Sequence, residues 1–269
     1  MIVGYKGFDR NLQCRGFQYE VGQTYTMEQA PGVCESGFHF CESPLDVLRY
    51  YPAMTSRYCL VEGNGQVDHE KEGTKLAVSE ITIVKELSLY EMIQAAPKKK
   101  DGQDLSGIER FVINDKHGHV AQTNRSFGIA TSRASYASAC AYGASSVAIT
   151  EREASVAVAT GGLALALGYR NIAIAQDGHA IAMATDTYSG VDVHGSSSMG
   201  IAYGVRNWAR GELGCWLVLT EWKYDEIEGV YDEIEGVQVV QVDGKTIQPN
   251  TWYRLMDGQI VEYEYANHF

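Results

Sequence analysis

Seven histidines and six cysteines are the residues of this 269-residue chain best suited to chemistry. His117 and His119 stand two apart, which on a strand puts both rings on one face. They could begin a metal site, but no third donor lies near, and the pair reads as solvent-facing. The other histidines, His39, His69, His179, His194 and His268, are scattered. Cys14, Cys34, Cys41 and Cys59 crowd the first quarter of the chain with His39, whereas Cys140 and Cys215 lie far on. A structural zinc site needs paired spacing such as Cys-x-x-Cys, and none occurs. The thiols read as reduced, partly buried side chains of a cytosolic protein, and no metal or cofactor is expected. The chain carries no nucleophile elbow, no Walker-type phosphate loop and no His-Glu-x-x-His motif.

The elements that must position these residues fall into contrasting regions. Residues 1–94 predict a small α+β domain. Ile2-Val3-Gly4-Tyr5-Lys6-Gly7-Phe8 reads as a strand, and Phe17-Gln18-Tyr19 with Gln23-Thr24-Tyr25 reads as a short extended pair around Gly22. Gly37-Phe38-His39-Phe40-Cys41 is a further strand. Ser43-Pro44 then opens a helix, with Ser as cap and Pro in the first turn, and Pro52 closes it. Residues 56–62 and 74–87 predict two strands about a polar, Gly-rich turn. Residues 95–118 read as a linker that includes Lys98-Lys99-Lys100.

This order of strand, strand–helix and strand resembles ADP-ribosyltransferase-like folds. The matching pieces are Tyr5-Lys6-Gly7, the stretch GFHFCESPLDVLRYY, and Glu80 in AVSEITI. The resemblance implies that Lys6 holds phosphate, His39 lines the pocket and Glu80 polarises a ribose hydroxyl. The chain departs from that pattern: Lys6 replaces the usual Arg or His, the Ser-Thr-Ser strand is missing, and Val78 stands where a second Glu or Gln belongs.

Residues 119–215 repeat. The small or polar residues opening successive units are Ser146, Ser155, Gly162, Asn171, Ala180, Ser189, Ser198 and Asn207, giving steps of 9, 7, 9, 9, 9, 9 and 9. A fixed step signals a stacked architecture, and the alternation inside each unit is the strand period. Nine residues suit one short strand and one tight turn, so two units make one coil of a flattened parallel β-solenoid (a β-roll). The larger branched residues, such as Val147, Ile149, Leu163, Leu165, Ile172 and Ile181, are expected to fill the roll. Ala148, Ala157, Ala164, Ala173 and Ala182 are expected to form a flat outer face that packs on a copy of itself. SSVAIT and SVAVATG are similar to the head repeats of trimeric autotransporter adhesins, which are left-handed β-rolls; that resemblance implies a trimer. Calcium-binding nonapeptides share the step, but Asp177, Asp186 and Asp192 are too sparse for them.

Beyond the repeat, CWLVLTEW predicts a strand that caps the solenoid, and residues 216–269 predict a C-terminal β-meander with turns at Asp243-Gly244 and Asp257-Gly258. The heptapeptide YDEIEGV occurs twice in tandem, at 224–230 and 231–237, and reads as a duplication extending an acidic hairpin or loop. The chain is therefore expected to be mainly β.

Stretches such as YKGFDRNLQCRGFQYEVGQTY, CESGFHFCESPLDVLRYY and VDGKTIQPNTWYRLMDGQIVE are similar to an uncharacterised domain family of bacterial and phage genomes. The resemblance implies a phage or prophage accessory protein. A formal net charge of −12 and a pI near 5.0 argue against a nucleic-acid partner. No run of apolar residues is long enough to span a membrane, and the N-terminus does not read as a signal peptide. The expectation is a non-enzymatic binding protein of the cytoplasm, with a virion location kept open. It oligomerises through its solenoid and takes a nucleotide-type small molecule or a host protein at Tyr5, Lys6, Arg15 and His39, with Glu80 as the further candidate. An ADP-ribosyltransferase-like enzyme and a structural virion component are the alternatives.

Overall fold

The computed structural model describes residues 1–51, 55–71, 73–96 and 111–263. Pro52, Lys98-Lys99-Lys100, most of the expected linker, and His268 lie outside them. The chain divides into two compact units, Met1–Pro97 and Lys98–Phe269.

The first unit contains β1 (Ile2–Phe8), β2 (Gln13–Cys14), β3 (Phe17–Gln18), β4 (Thr24–Thr26), β5 (Phe38–Cys41), a 3-10 helix (Leu45–Arg49), β6 (Arg57–His69), β7 (Lys75–Leu87) and α1 (Leu89–Ala95). The main sheet runs β4-β7-β5-β1-β6, and β6 pairs back onto β7. Strands β1, β6, β7 and β5 thus close on themselves, all antiparallel. Alternation makes this possible: Val61, Ile81 and Ile83 face a core shared with Phe8, Phe40, Leu76 and Val78. Gly4 and Gly63 leave room for the Phe40 ring, which a Cβ at either position would strike.

Three local expectations change. Phe17–Gln18 pairs with Gln13–Cys14, and Thr24–Thr26 pairs with β7, so the two segments around Gly22 do not pair with each other. The helix after Ser43 is a five-residue 3-10 stretch with Pro44 at its cap and no side-chain capping bond. Such short uncapped stretches favour the tighter helix. Helix α1 was not anticipated, although Ser88 and Glu91 form a full capping box.

The second unit contains β8 (Phe111–Asn114), β9 (Val120–Thr123), β10 (Ile129–Ser132), β11 (Ser138–Thr150), β12 (Val156–Ala166), β13 (Ile172–Ala175), β14 (Ile181–Ala184), β15 (Gly190–Val193), β16 (Met199–Ala202), β17 (Trp208–Gly211), β18 (Trp216–Asp225), β19 (Val230–Gln241), β20 (Tyr253–Met256) and β21 (Gln259–Glu262). A parallel β-solenoid of about six turns occupies residues 112–219. It begins inside the stretch read as linker. One face stacks β8, β10, the second half of β11, the second half of β12, β14, β16 and β18; the other stacks β9, the first halves of β11 and β12, β13, β15 and β17. Most pairs are one 18-residue coil apart, such as Ile181 with Met199; the seven-residue step shortens one coil, so Val156 pairs with Ile172. There β12 runs through the corner, and a side chain on Gly162 would strike the Ser146 backbone.

The other corners share one device. A residue in the left-handed region precedes the small or polar residue: Ala154, Arg170, Tyr188, Ser197 and Arg206 have φ of 49°, 56°, 55°, 65° and 55°. The polar residue that follows is buried and accepts a backbone N–H from the neighbouring coil. Ala137 N–H donates to Ser155 Oγ (3.3 Å), Ser155 N–H to Asn171 Oδ1 (2.8 Å), Asn171 N–H to Ser189 Oγ (3.1 Å) and Ser189 N–H to Asn207 Oδ1 (2.8 Å).

The alanine side of the alternation is the inside, against the expectation, while the larger residues divide: Val156, Val158, Ile172 and Ile174 on one face are buried, outside the alanine cluster, and those on the other face are not. Ala148, Ala157, Ala164, Ala173 and Ala182 are each 0% exposed and join the core. They cannot be an outer packing face. Val147, Ile149, Leu163, Leu165 and Ile181 alternate with them and point outward. Methyl groups fill an interior in which the corners hold two four-residue strands face to face. At the last coils the core enlarges to Leu217, Leu219 and Tyr253.

The C-terminal strands form two hairpins, not one meander. Strand β19 pairs with β18, while β20 pairs with β17 and β21. Each face thus ends in an antiparallel edge. Removing one rung of the corner ladder leaves a buried N–H unpaired, so Asn171→Ala should cost about 1–3 kcal/mol in chemical denaturation; a loss below a few tenths would reject the ladder as a stabilising element.

Between coils, Asp192 carries Arg210 at 2.6 Å and His194 at 3.1 Å, and His194 reaches Glu212 at 3.2 Å. The hydrogen bond to Asp192, which outweighs burial, raises the His194 pKa from 6.5 to about 9. The folded value lies above the unfolded one, so this stabilisation is complete below about pH 6.5 and is lost as pH rises through about 9. Melting curves from acid to alkaline pH should show a steeper alkaline fall for the native chain than for His194→Gln; parallel curves would rule the cluster out.

Candidate functional site

The first unit holds a cleft of about 1180 Å³. Strand β1 brings Tyr5, Lys6 and Gly7 to it, the tight β2–β3 turn brings Cys14, Arg15 and Phe17, and β5 brings Phe38, His39, Phe40 and Cys41. The 3-10 helix delivers Val47 and Arg49 and then Tyr50 and Tyr51, and β7 begins with Lys75. The β2–β3 turn needs left-handed backbone at Arg15 (φ 51°) and Gly16 (φ 77°), which swings Arg15 to the rim. Gly7 is required for another reason: a Cβ there would strike the Tyr51 ring.

Lys6 is 3% exposed. Its Nζ donates to the His39 carbonyl at 2.8 Å and lies 3.6 Å from Cys14 Sγ, which accepts from the Tyr51 hydroxyl at 2.9 Å. The Phe8 and Tyr19 rings flank it at 5.4 and 5.5 Å. Among the described residues no carboxylate pairs with it. Burial lowers its pKa, with Cys14 opposing. Burial and the charge of Lys6 also lower the pKa of His39, whose Nε2 accepts the Cys34 N–H at 3.0 Å. That acceptor role requires an unprotonated Nε2. Lys75 Nζ reaches Cys34 Sγ at 3.1 Å and Glu70 at 3.4 Å. Burial pushes the Cys41 thiol up to about 12, out of reach of thiolate chemistry.

One wall is aromatic. Phe17 meets Tyr19, Tyr25 and Phe38 edge-on at 4.8, 5.4 and 6.4 Å. Four side chains with basic heads, Lys6, Arg15, Arg49 and Lys75, line the cleft against one carboxylate, Glu35.

Of the residues singled out from sequence, Tyr5, Lys6, Arg15 and His39 come together here. Glu80 does not line the cleft; it lies on β7 opposite Thr26 and Asn64. Sequence reading missed Cys14, Tyr51 and Lys75. Cys14 neighbours Arg15 and was within reach; the Lys75–Cys34 contact spans 41 positions and leaves no local signal. His117 is exposed beside Tyr136 and His119 is half-buried, and both lie at a corner of the solenoid, not on one strand. All six cysteines are free, and no cluster of three or more metal-type donors occurs among the described residues. No helix among them is long and apolar enough to cross a membrane.

Residues 2–95 match a family described as a domain of unknown function (DUF7666). The match ends where the first compact unit ends. It supports the expectation of an uncharacterised domain family. No curated protein matches the chain, and no solved structure does.

An unpaired buried ammonium opposes folding. Lys6→Met, which keeps the length and removes the charge, should raise stability by about 1–2 kcal/mol. A loss of stability would mean that the contacts of Lys6 outweigh its desolvation.

Proposed function

We propose that the chain is a non-enzymatic accessory protein of phage or prophage type. Its first unit binds an anionic, planar small molecule of the nucleotide class, and its solenoid carries self-association. The observation behind this reading is the cleft itself: four basic residues against one carboxylate, walled by aromatic rings, in a chain of net charge −12. A ring system stacks on Tyr and Phe faces, and its phosphate finds Lys6 and the guanidiniums of Arg15 and Arg49. Lys6 is the key group, because an anion would supply the counter-charge that the protein omits.

The ADP-ribosyltransferase reading asks for a carboxylate facing a bound ribose, and Glu80 outside the lining does not meet that demand. The accessory role rests on the sequence resemblance alone. Self-association rests on a different surface from the one first expected. Leu163, Leu165, Ile181, Met183, Met199 and Ile201 point outward along one face, with Ile181 39% exposed and Trp216 40% exposed at its end. Such a row is a candidate contact between copies, and a trimer is the state implied by the adhesin-like repeat.

Native mass spectrometry with nucleoside phosphates and cyclic dinucleotides tests both parts. The expected result is a multiple of 29.6 kDa carrying one ligand per chain, with affinity falling about 10-fold or more in Lys6→Met. A bare monomer that takes none of the probes would sink the proposal, and Ile181→Lys with unchanged mass would remove the outward row as the contact.

A further inference from the structure

Lys6 differs in kind from the other basic residues of the cleft. Arg15 and Arg49 are exposed and permanently charged, and Lys75 has Glu70 beside it. Lys6 is buried, flanked by the Phe8 and Tyr19 rings, and without a carboxylate partner among the described residues. It nevertheless lines the cleft. A lysine desolvated in this way keeps more of its amine neutral at ordinary pH, and a neutral amine is a nucleophile.

We propose that Lys6 captures carbonyl compounds: the cleft takes a planar aldehyde or ketone and holds it as a reversible imine on Nζ. This needs the cleft to admit a ligand but does not need that ligand to be anionic, so it stands apart from the nucleotide reading.

In the first step the Nζ lone pair attacks the carbonyl carbon. The C=O π electrons move to oxygen, and one proton passes from nitrogen to oxygen to give a carbinolamine. In the second step the hydroxyl takes up a proton and leaves as water. The nitrogen lone pair forms the C=N bond, and the remaining N–H proton returns to the proton donor. No oxidant or reductant enters. Cys14, 3.6 Å from Nζ and bonded to the Tyr51 hydroxyl at 2.9 Å, is the group placed to lend and recover that proton. The His39 carbonyl at 2.8 Å accepts a hydrogen bond from Nζ and so holds it in place. Gly7 completes the arrangement by letting the Tyr51 ring approach β1. The aromatic wall of Phe17, Tyr19 and Tyr25 would stack a conjugated carbonyl.

The test treats the full chain separately with pyridoxal and with pyridoxal 5′-phosphate, traps adducts with cyanoborohydride, and maps them by peptide mass spectrometry. Lys6 should be labelled by both aldehydes. It should clearly exceed Lys75 of the same cleft, whose ammonium has Glu70 beside it. Labelling of Lys6 by the phosphorylated aldehyde alone also supports capture and adds an anion requirement. Label spread evenly over lysines, or absent from Lys6 with both probes, overturns the proposal. Unphosphorylated pyridoxal separates the two readings of the site, because it carries no anion. Lys6→Arg should lose the adduct, because a guanidinium does not form the imine. The wild-type map decides the matter even if that variant does not fold.

Discussion

The solenoid depends on a hydrogen bond at its corners. Each coil must turn sharply after its strand, and the turn forces a residue with a Cβ into left-handed backbone, as at Tyr136, Ala154, Arg170 and Tyr188. That conformation costs about 1–2 kcal/mol per residue. It also points the next backbone N–H into the body of the roll, where water cannot reach it. Ser155, Asn171, Ser189 and Asn207 accept those N–H groups from the neighbouring coil. An unmet donor would cost about 1–3 kcal/mol, comparable to the strain. At these corners stacking and turning are therefore one event: the strained corner sits beside another coil that supplies the acceptor. The same side chains also donate, Ser189 Oγ to the Gly168 carbonyl and Asn207 Nδ2 to the Ala184 carbonyl, which ties each corner to the preceding coil as well.

The first unit shows the opposite economy. Its closed ring of strands is filled by Phe8, Phe40, Leu76, Ile81 and Ile83, and the ring supports a cation that folding alone would reject. Lys6 keeps its place because β1 is pinned by β6 along seven residue pairs and its Nζ finds the His39 carbonyl. Around it, left-handed Arg15 and Cys34 lie in turns at the rim of the cleft, where strain is common near ligand sites. Stability elsewhere in the unit holds a polar floor beside an aromatic wall.

The alternation of β1, β5 and the β6–β7 hairpin was legible, because period-two burial is written directly into residues such as Ile81, Thr82 and Ile83. The nine-residue step was legible because it is a spacing of residue types; Tyr5, Lys6, Arg15 and His39 line one cleft, but no spacing in the chain states that they meet. Helix α1 has a local signature in the Ser88–Glu91 capping box. Other features had no local signature. Whether Glu80 faces the cleft depends on the register of β7 against β4 and β6. The approach of Lys75 to Cys34 depends on where β7 begins relative to a turn 41 residues earlier.

The tandem heptapeptide separates the two sources of information. In the first copy, Asp225 Oδ1 accepts the N–H groups of Ile227 and Glu228, Gly229 is left-handed at φ 69°, and the chain reverses. In the second copy the same seven residues lie within β19, paired to β18 with Tyr231 opposite Tyr224. By itself the sequence determined that this chain repeats, that its units are strands, and that aromatic and basic residues gather near its start, since these follow from side-chain type and spacing. Only the tertiary structure decided which side of each strand is inside, because alternation is symmetric between two faces. The corners choose between them by closing the faces on a space that methyl groups fill. The same holds for the heptapeptide: one copy turns and the other extends because a strand edge was waiting for only one of them.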